Sequence, residues 1–136
     1  MTRRVVITGL GVISPVGCGV EKFWNSLKEG QNGIDFITHF DISEYKAKLA
    51  AEVKDFEVEK YMEKKKAKRL DMYSQFAIAS TKEAIEDSGL DLDNIDRERV
   101  GVIFGTGVGG IGTAKQQVET LAFKGPRRIS PFAVPM

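Results

Sequence analysis

Two parts of the chain share one order of elements: a short apolar run, a glycine-rich stretch and a helical pattern. The β-branched run Arg4–Thr8 precedes a glycine-rich turn region and a helix predicted over Val20–Glu29. The run Val100–Phe104 precedes Gly105–Gly112 and a helix predicted over Thr113–Lys124. Continuous apolar runs are typical of strands in a sheet that is covered on both faces. Strands alternating with helices predict an α/β domain with parallel strands and right-handed crossovers.

The middle of the chain is predicted to be mainly helical. Val58–Ser88 carries apolar residues at helical spacing, with a break near Lys64–Lys66, and Gly89 is placed to end the helix. Small residues in its second half would let neighbouring segments approach closely. Lys46–Phe56 is predicted to hold a short edge strand. The helix predicted from residue 20 is expected to turn its large apolar side chains towards the core: Phe23, Trp24 and Leu27.

The second glycine-rich stretch admits a nucleotide-binding interpretation. Gly105, Gly107 and Gly110 match G-x-G-x-x-G between a predicted strand and a predicted helix. The fingerprint also needs an acidic residue at the end of the next strand, about 20 residues on. Glu119 comes too early and lies on a predicted helix. Glycines that permit close backbone approach or positive φ are the favoured interpretation, and nucleotide binding remains the alternative.

Composition and charge exclude several classes of function. A net charge of +1 gives no global field that would attract nucleic acid or a membrane surface. Cys18 is the single cysteine, which rules out an internal disulfide and fits a reducing compartment. The sequence shows no signal-peptide pattern and no apolar run of membrane-spanning length. We therefore expect a cytoplasmic protein.

The chemistry-bearing residues of the chain are few. Cys18 lies between two glycines with no neighbouring base, so it is expected to be a turn residue and not a nucleophile. His39 is the single histidine and is expected to lie at the surface or to pack in a loop. One histidine and one cysteine do not build a metal centre, and we expect no metal site and no cofactor. The densest charge cluster is basic: Lys60, Lys64, Lys65, Lys66, Lys68 and Arg69.

A series of motifs runs through the whole chain in a consistent order. The chain resembles the β-ketoacyl-[acyl-carrier-protein] synthases, in particular the elongating enzymes of dissociated fatty acid synthesis. Polyketide ketosynthases share many of these glycines and remain the nearest rival. The motifs that carry the resemblance are Val6-Ile-Thr-Gly-Leu-Gly11, Ser14-Pro-Val-Gly17, Phe23-Trp24, Gly33-Ile34, Phe40-Asp41, Val53-Lys-Asp-Phe56, Arg69-Leu-Asp71, Asp87-Ser-Gly89, Gly105-Thr-Gly-Val-Gly-Gly110 and Gly125-Pro-Arg-Arg-Ile-Ser-Pro-Phe132.

The resemblance implies a fold, a reaction and an assembly. The fold would be thiolase-like, with α-β-α-β-α layers in two similar halves. Residues 1–136 would be an incomplete N-terminal part that covers most of the first half. The enzyme would condense a carrier-bound acyl chain with malonyl-[acyl-carrier-protein], release CO2 and form a 3-oxoacyl-[acyl-carrier-protein]. It would act as a homodimer, and its Cys nucleophile and two His residues would lie beyond Met136, so we expect no catalytic residue in this chain.

The resemblance also assigns two groups of site residues. The basic cluster matches the surface where the family docks an acidic carrier protein, and a second basic pair lies at the same entrance. The docking residues would be Lys65, Lys68, Arg69, Arg127 and Arg128. The residues matching the acyl-chain pocket are Val108, Phe132 and Ala133.

Alternatives remain for both groups. Basic clusters are usually solvated faces, and the three apolar residues could be ordinary packing residues. One physical argument favours docking: cations in the first turn of a helix oppose its macrodipole at about 0.3–1 kcal/mol each. A non-catalytic carrier-binding or subunit-interface module is a second possible function.

Overall fold

The computed structural model describes residues 3–133. The described residues form two compact units, 3–57 with 80–91 and 58–79 with 92–133. The strands are β1 (Ile13–Ser14), β2 (Gly17–Cys18), β3 (Ile34–Phe36) and β4 (Leu49–Ala51). The helices are α1 (Val20–Lys28), α2 (Lys64–Ala67), α3 (Met72–Ser88) and α4 (Ile111–Lys124), and 3₁₀ turns cover Val58–Lys60, Arg97–Arg99 and Pro126–Arg128.

The helices follow the sequence pattern closely. Helix α1 ends one residue before the predicted end, and α4 begins two residues before its predicted start. The central helical region is broken, as predicted, into a 3₁₀ turn, α2 and α3. Three of the glycines that follow helices have positive φ, 67° at Gly30, 63° at Gly89 and 81° at Gly125. These are backbone conformations that glycine adopts without the strain imposed by a Cβ atom.

The strands pair in two small antiparallel sheets. β1 pairs with β2 around the turn at Pro15–Val16, with Ile13 opposite Cys18. β3 pairs with β4 in the register Ile34 to Ala51 and Phe36 to Leu49. The edge strand predicted within residues 46–56 is therefore confirmed as β4.

The two strands predicted from the apolar runs are wrong as local structure. Residues 4–8 and 100–104 form no strand, and all the pairing in residues 3–133 is antiparallel, so the predicted parallel crossovers are not observed there. Neither run is buried: Ile7 is 83% exposed and Ile103 is 96% exposed. A run of β-branched residues becomes a strand only where a neighbouring strand supplies hydrogen-bond partners, and residues 3–133 supply none here.

In the first unit, the first glycine-rich segment packs against α3. A Cβ atom on Gly11 would meet the backbone of Ser80 and come within 2.9 Å of the Ala84 amide nitrogen. The backbone N–H of Leu10 donates to Asp87 Oδ2 at 2.8 Å, and that of Val12 donates to Glu83 Oε2 at 3.0 Å. Gly11 therefore permits the close approach of this segment to the backbone of α3.

In the second unit, the linker between α2 and α3 is folded back onto α3. Gln75 Nε2 donates to the carbonyl oxygens of Ala67 at 3.1 Å and Leu70 at 2.9 Å. Its backbone N–H donates to the Asp71 carbonyl at 3.0 Å. Ala67 is 3% exposed, so the end of α2 is buried even though its lysines face solvent. One glutamine thus fixes the path of the segment that carries Lys68 and Arg69.

A large apolar area is left exposed. Trp24 is 57% and Leu27 is 47% exposed, so the prediction that α1 turns both towards a core is wrong for this chain. The buried residue of α1 is Ser26, whose hydroxyl donates to the Val16 carbonyl at 2.7 Å. The exposed surface is 11212 Å² for 15.0 kDa, whereas a folded monomer of that mass exposes about 7,000 Å². Apolar faces of the described residues therefore lack a covering layer.

Candidate functional site

The basic cluster occupies one turn of helix and the linker after it. Helix α2 carries three consecutive lysines, and Lys68 and Arg69 come directly after it. The side chains of Lys65, Lys68 and Arg69 are exposed. Lys64 forms an ion pair with Glu59 at 3.1 Å, whereas Lys65 and Lys68 form none with residues 3–133. Lys65 and Lys68 therefore present their charges to solvent, where an anionic surface can meet them.

Arg69 also contacts an aromatic ring of the predicted pocket. Its guanidinium carbon lies 4.8 Å from the centroid of the Phe132 ring, a cation–π geometry. The segment carrying Phe132 is held to α4, since the Ser130 N–H donates to Gln117 Oε1 at 2.8 Å. The structure thus brings one predicted docking residue together with one predicted pocket residue.

The second basic pair lies on the 3₁₀ turn after α4. Arg127 and Arg128 are both exposed, and Gly125 with φ 81° makes the sharp change of direction that separates them from the helix. The same segment continues to Phe132 and to the half-buried Ala133. The 3₁₀ turn and the pocket residues are therefore neighbours along the chain within one unit.

The second glycine-rich loop carries the third pocket residue. Val108 is 71% exposed, and the loop is closed by a hydrogen bond from the Gly109 N–H to Thr106 Oγ1 at 3.0 Å. The loop ends at the N-terminus of α4, where the Thr113 hydroxyl donates to Asp71 Oδ1. A Cβ atom on Gly110 would coincide with the Asp71 carboxylate.

This arrangement argues against the nucleotide-binding alternative. A dinucleotide fingerprint places a pyrophosphate at the helix N-terminus, where the backbone N–H groups favour an anion. Here the Asp71 carboxylate already lies at that helix end, beside Gly110 and Thr113. A bound pyrophosphate would meet a like charge at this position. Gly110, the last glycine of the pattern, therefore serves the contact with Asp71, which sequence spacing alone does not reveal.

Cys18 lacks the environment of a nucleophile. Burial raises the pKa of its thiol, and the positive charge of Lys22 opposes that effect only in part. A reactive cysteine needs the opposite shift, because the thiolate is the attacking species. Cys18 lines a cleft of about 140 Å³ in the first unit, together with Ser14, Lys22 and Asp55. Cys18 lies in strand β2, opposite Ile13, so the expectation that it is a turn residue is wrong; the turn itself is at Pro15–Val16.

His39 and the acidic residues form no metal centre in the described part of the chain. The exposed His39 lies with Nε2 3.8 Å from Glu52 Oε1. Within residues 3–133, no group of three or more potential ligands lies together. None of the helices described there has the length and apolarity needed to cross a bilayer.

Three residues that position the site were not singled out as site residues from sequence. Asp71, Gln75 and Gln117 fix, respectively, the glycine loop, the basic linker and the Phe132 segment. Asp71 had a sequence signal, since it ends the Arg69-Leu-Asp71 motif. The two glutamines had none, because a polar residue on a helix face does not reveal which loop it will hold.

Comparison with solved structures defines the class of this fold. The chain superposes on the ishigamide ketosynthase/chain length factor with a TM-score of 0.79 at 32% identity, over 96% of this chain and 33% of that one. A type II PKS ketosynthase in complex with its acyl-carrier protein gives a TM-score of 0.74 at 24% identity, over 93% and 33%. The predicted α/β, thiolase-like fold of the ketosynthases is thereby confirmed.

Sequence comparison gives the family. The model of the β-ketoacyl synthase N-terminal domain matches residues 2–136. The chain is 45% identical over 134 residues to 3-oxoacyl-[acyl-carrier-protein] synthase 2 of Staphylococcus aureus (strain N315), and 46% identical over 133 residues to that of Vibrio harveyi. Each match covers 98% of this chain and 32% of the relative. The chain belongs to the β-ketoacyl synthase family and spans about a third of the length of these relatives.

Proposed function

We propose that residues 1–136 form the N-terminal part of a condensing enzyme that elongates acyl chains on an acyl carrier protein. The enzyme would be an acyltransferase that takes an acyl group onto a Cys nucleophile outside this chain. Malonyl-[acyl-carrier-protein] would lose CO2, and the resulting carbanion would attack the acyl thioester. The C–S bond to Cys would break, leaving the thiolate and a 3-oxoacyl-[acyl-carrier-protein]. The synthase 2 relatives support this assignment.

The observation that carries the proposal is the contact between Arg69 and Phe132. A carrier protein is acidic, and its acyl group must pass from the docking surface to a chain pocket. The exposed cations of Lys65 and Lys68 would attract the carrier and raise its association rate. Arg69, next to Lys68 in the chain, contacts the aromatic ring that would line the path of the acyl chain. This part of the chain would therefore supply the entrance and a pocket wall.

Two further assignments belong to the same proposal. The enzyme would be a homodimer, in which Phe132 and Ala133 reach the pocket of the second subunit. The large exposed apolar area of this chain is compatible with such burial against other protein surfaces. It would act in the cytoplasm, for which the single cysteine is the support.

The docking surface can be tested in the full-length natural protein. The double variant Lys65→Glu with Arg69→Glu should weaken binding of an acidic acyl carrier protein at least about tenfold. It should also flatten the dependence of the dissociation constant on salt. The double variant Lys46→Glu with Lys48→Glu, an equal charge change at two exposed loop positions, is the matched control. Binding unchanged in the double variant would leave the basic cluster as a solvated face.

The reaction can be tested by its products. The full-length protein should release CO2 from malonyl-[acyl-carrier-protein] in the presence of acyl-[acyl-carrier-protein] and form one 3-oxoacyl product, detected by mass spectrometry. A polypeptide of residues 1–136 should be inactive. Absence of condensation by the full-length protein, with carrier binding intact, would favour a non-catalytic carrier-binding or interface module.

A polyketide ketosynthase is the second candidate, and its support is the similarity of fold to a type II PKS ketosynthase. The two activities diverge after the first condensation. An elongation enzyme leaves a 3-oxo product for reduction, whereas a polyketide ketosynthase extends the unreduced product again. Repeated extension in the absence of reducing enzymes would establish the polyketide function.

A further inference from the structure

Asp71 supplies a negative charge to a helix that has no cap of its own. Helix α4 begins after Gly110, which offers no side chain to accept the first backbone N–H groups. The Asp71 carboxylate lies at this end, beside Gly110 and hydrogen-bonded to the hydroxyl of Thr113, 42 residues further along the chain. An anion at a helix N-terminus is stabilised by the unpaired N–H groups and the helix dipole.

The glycine loop depends on this contact for its position. Gly105 and Gly107 have no atoms within 4 Å of an added Cβ, so the first half of the loop lies in open space. The second half meets the start of α3, where an added Cβ on Gly109 would lie 3.9 Å from the Tyr73 ring. Asp71 is the polar anchor at the end of the loop that joins α4. Val108 lies on the same loop, two residues before Gly110.

The anchor is also joined to the basic linker. Asp71 lies two residues after Arg69. Gln75, whose side chain holds the linker, belongs to the first turn of α3, and its backbone N–H donates to the Asp71 carbonyl oxygen. A displacement of the linker that carries Lys68 and Arg69 would therefore also displace the Asp71 carboxylate, which contacts the end of the Gly105–Gly110 loop. Asp71 thus connects the linker to the N-terminus of α4.

We propose that Asp71 is a positioning residue that fixes the Gly105–Gly110 loop, and with it the contact of Val108 with the acyl chain, to the linker that carries Lys68 and Arg69. The inference rests on the proposed function, because it assigns the loop to the acyl chain. Asp71 touches neither substrate nor reacting atoms. Its effect would appear in the discrimination between acyl chains and not in carrier affinity.

The test compares two variants of the full-length protein that disrupt the contact between Asp71 and Thr113 with two control variants that keep it. Asp71→Ala and Thr113→Val each remove one side of the contact, whereas Thr113→Ser keeps the hydroxyl and is the conservative control. The readout is the ratio of kcat/KM for the longest and shortest acyl-carrier substrates accepted. Asp71→Ala and Thr113→Val should change this ratio at least about tenfold through kcat, because small displacements of a pocket wall disturb the bound geometry.

The two control variants, Thr113→Ser and Lys65→Glu, should leave the ratio of kcat/KM between long and short acyl chains nearly unchanged. Thr113→Ser should retain the natural ratio, and Lys65→Glu should raise KM for all chain lengths while leaving the ratio within about twofold. The inference is overturned if Thr113→Val and Asp71→Ala leave the ratio within about twofold of the natural enzyme. It is also overturned if they raise KM equally for every chain length, as a docking residue would.

A second measurement separates this inference from the proposed function. Amide hydrogen exchange of residues 105–113 should become at least about tenfold faster in Asp71→Ala and Thr113→Val and stay unchanged in Thr113→Ser. Loss of protection with no condensing activity in the natural protein would support the anchor and reject the enzyme. Unchanged exchange in both disrupting variants would reject the anchor, whatever the activity.

Discussion

The guanidinium of Arg69 stands over the ring of Phe132, with 4.8 Å between the guanidinium carbon and the ring centroid. Arg69 lies just after the buried end of α2, and Phe132 lies just after the second basic pair. An arginine in such a position has two roles that compete, because its charge can face the ring or an incoming carboxylate. Carrier docking and the position of the pocket ring are therefore coupled in the proposed enzyme.

The coupling predicts a measurable interaction energy. In a double-mutant cycle of Arg69→Gln and Phe132→Leu, urea unfolding should give a coupling of about 0.5–1 kcal/mol, the range of exposed cation–π pairs. Lys68→Gln, one residue away on the same linker, should give a coupling near zero with Phe132→Leu. Equal coupling for both cationic residues would show that the charge of the linker matters and the stacking of Arg69 does not.

The close approach of the first glycine segment to α3 predicts a large effect of one methyl group. Gly11→Ala would place its Cβ against the Ser80 and Ala84 backbones, which cannot turn aside as a side chain can. We expect a loss of at least about 2 kcal/mol in the free energy of unfolding. Gly112→Ala, in α4 with open space around the added Cβ, should be neutral or stabilise by up to about 1 kcal/mol. Thermal unfolding of the two variants checks the contrast.

The helices were predictable from sequence because their information is local. Apolar spacing and terminal glycines lie within the segment that folds, as at α1 with Gly30 and at α4 with Gly125. The apolar runs at 4–8 and 100–104 failed as local predictions because a strand is defined by a partner elsewhere. The family motifs nevertheless identified the fold, since their order carries information that residue patterns alone do not.

The sequence predicted which residues belong to the candidate site, but not which of them contact one another. The resemblance assigned Arg69 to docking and Phe132 to the pocket, and the sequence contains no sign that the two are in contact. The same holds for Asp71 and Gly110, whose carboxylate and missing side chain fit together at the start of α4. Such contacts arise from tertiary packing, which spacing along one chain does not encode.

The hydrogen bonds that Glu52 accepts from Thr38 predict how the stability of the protein responds to acid. The hydroxyl of Thr38 donates to Glu52 Oε2 at 2.7 Å and its backbone N–H donates to Oε1 at 3.0 Å, which lowers the pKa of Glu52. A lowered pKa contributes stability above the pKa of the unfolded state, and this contribution is lost as pH falls through the folded pKa. Thr38→Val removes the hydroxyl donor, so the pKa of Glu52 should rise and acid unfolding should begin at higher pH.

Thr38→Ser is the control for this effect, because it keeps a hydroxyl at the same position. The pKa of Glu52 can be followed by NMR of its side-chain carboxyl carbon, and acid unfolding by circular dichroism. An unchanged pKa in Thr38→Val would mean that the backbone N–H alone stabilises the carboxylate.

The raised pKa of the Cys18 thiol predicts a loss of stability at alkaline pH, the opposite of the effect of Glu52. Burial raises the pKa of its thiol, so its stabilising contribution is present below the unfolded pKa and lost as pH rises through the folded value. The urea midpoint of the natural protein should fall between pH about 8 and about 10 more steeply than that of Cys18→Ala.

Iodoacetamide should alkylate Cys18 more slowly than an unstructured cysteine peptide at the same pH. Faster alkylation would identify an activated thiol and contradict the expectation that Cys18 is not a nucleophile.

The exposed apolar runs predict that residues 1–136 do not behave as an independent monomer. Ile7 at 83% and Ile103 at 96% exposure leave unpaired backbone and β-branched side chains accessible, a combination that favours intermolecular strand pairing. Light scattering of this polypeptide should therefore show self-association, and Ile103→Lys should reduce it.

In the full-length protein the same substitution should be destabilising by several kcal/mol, since the run would then be covered and a lone charge buried. Lys46→Glu should be nearly neutral in both. Monodisperse, cooperatively melting monomers of residues 1–136 would contradict the prediction that these faces need a covering layer.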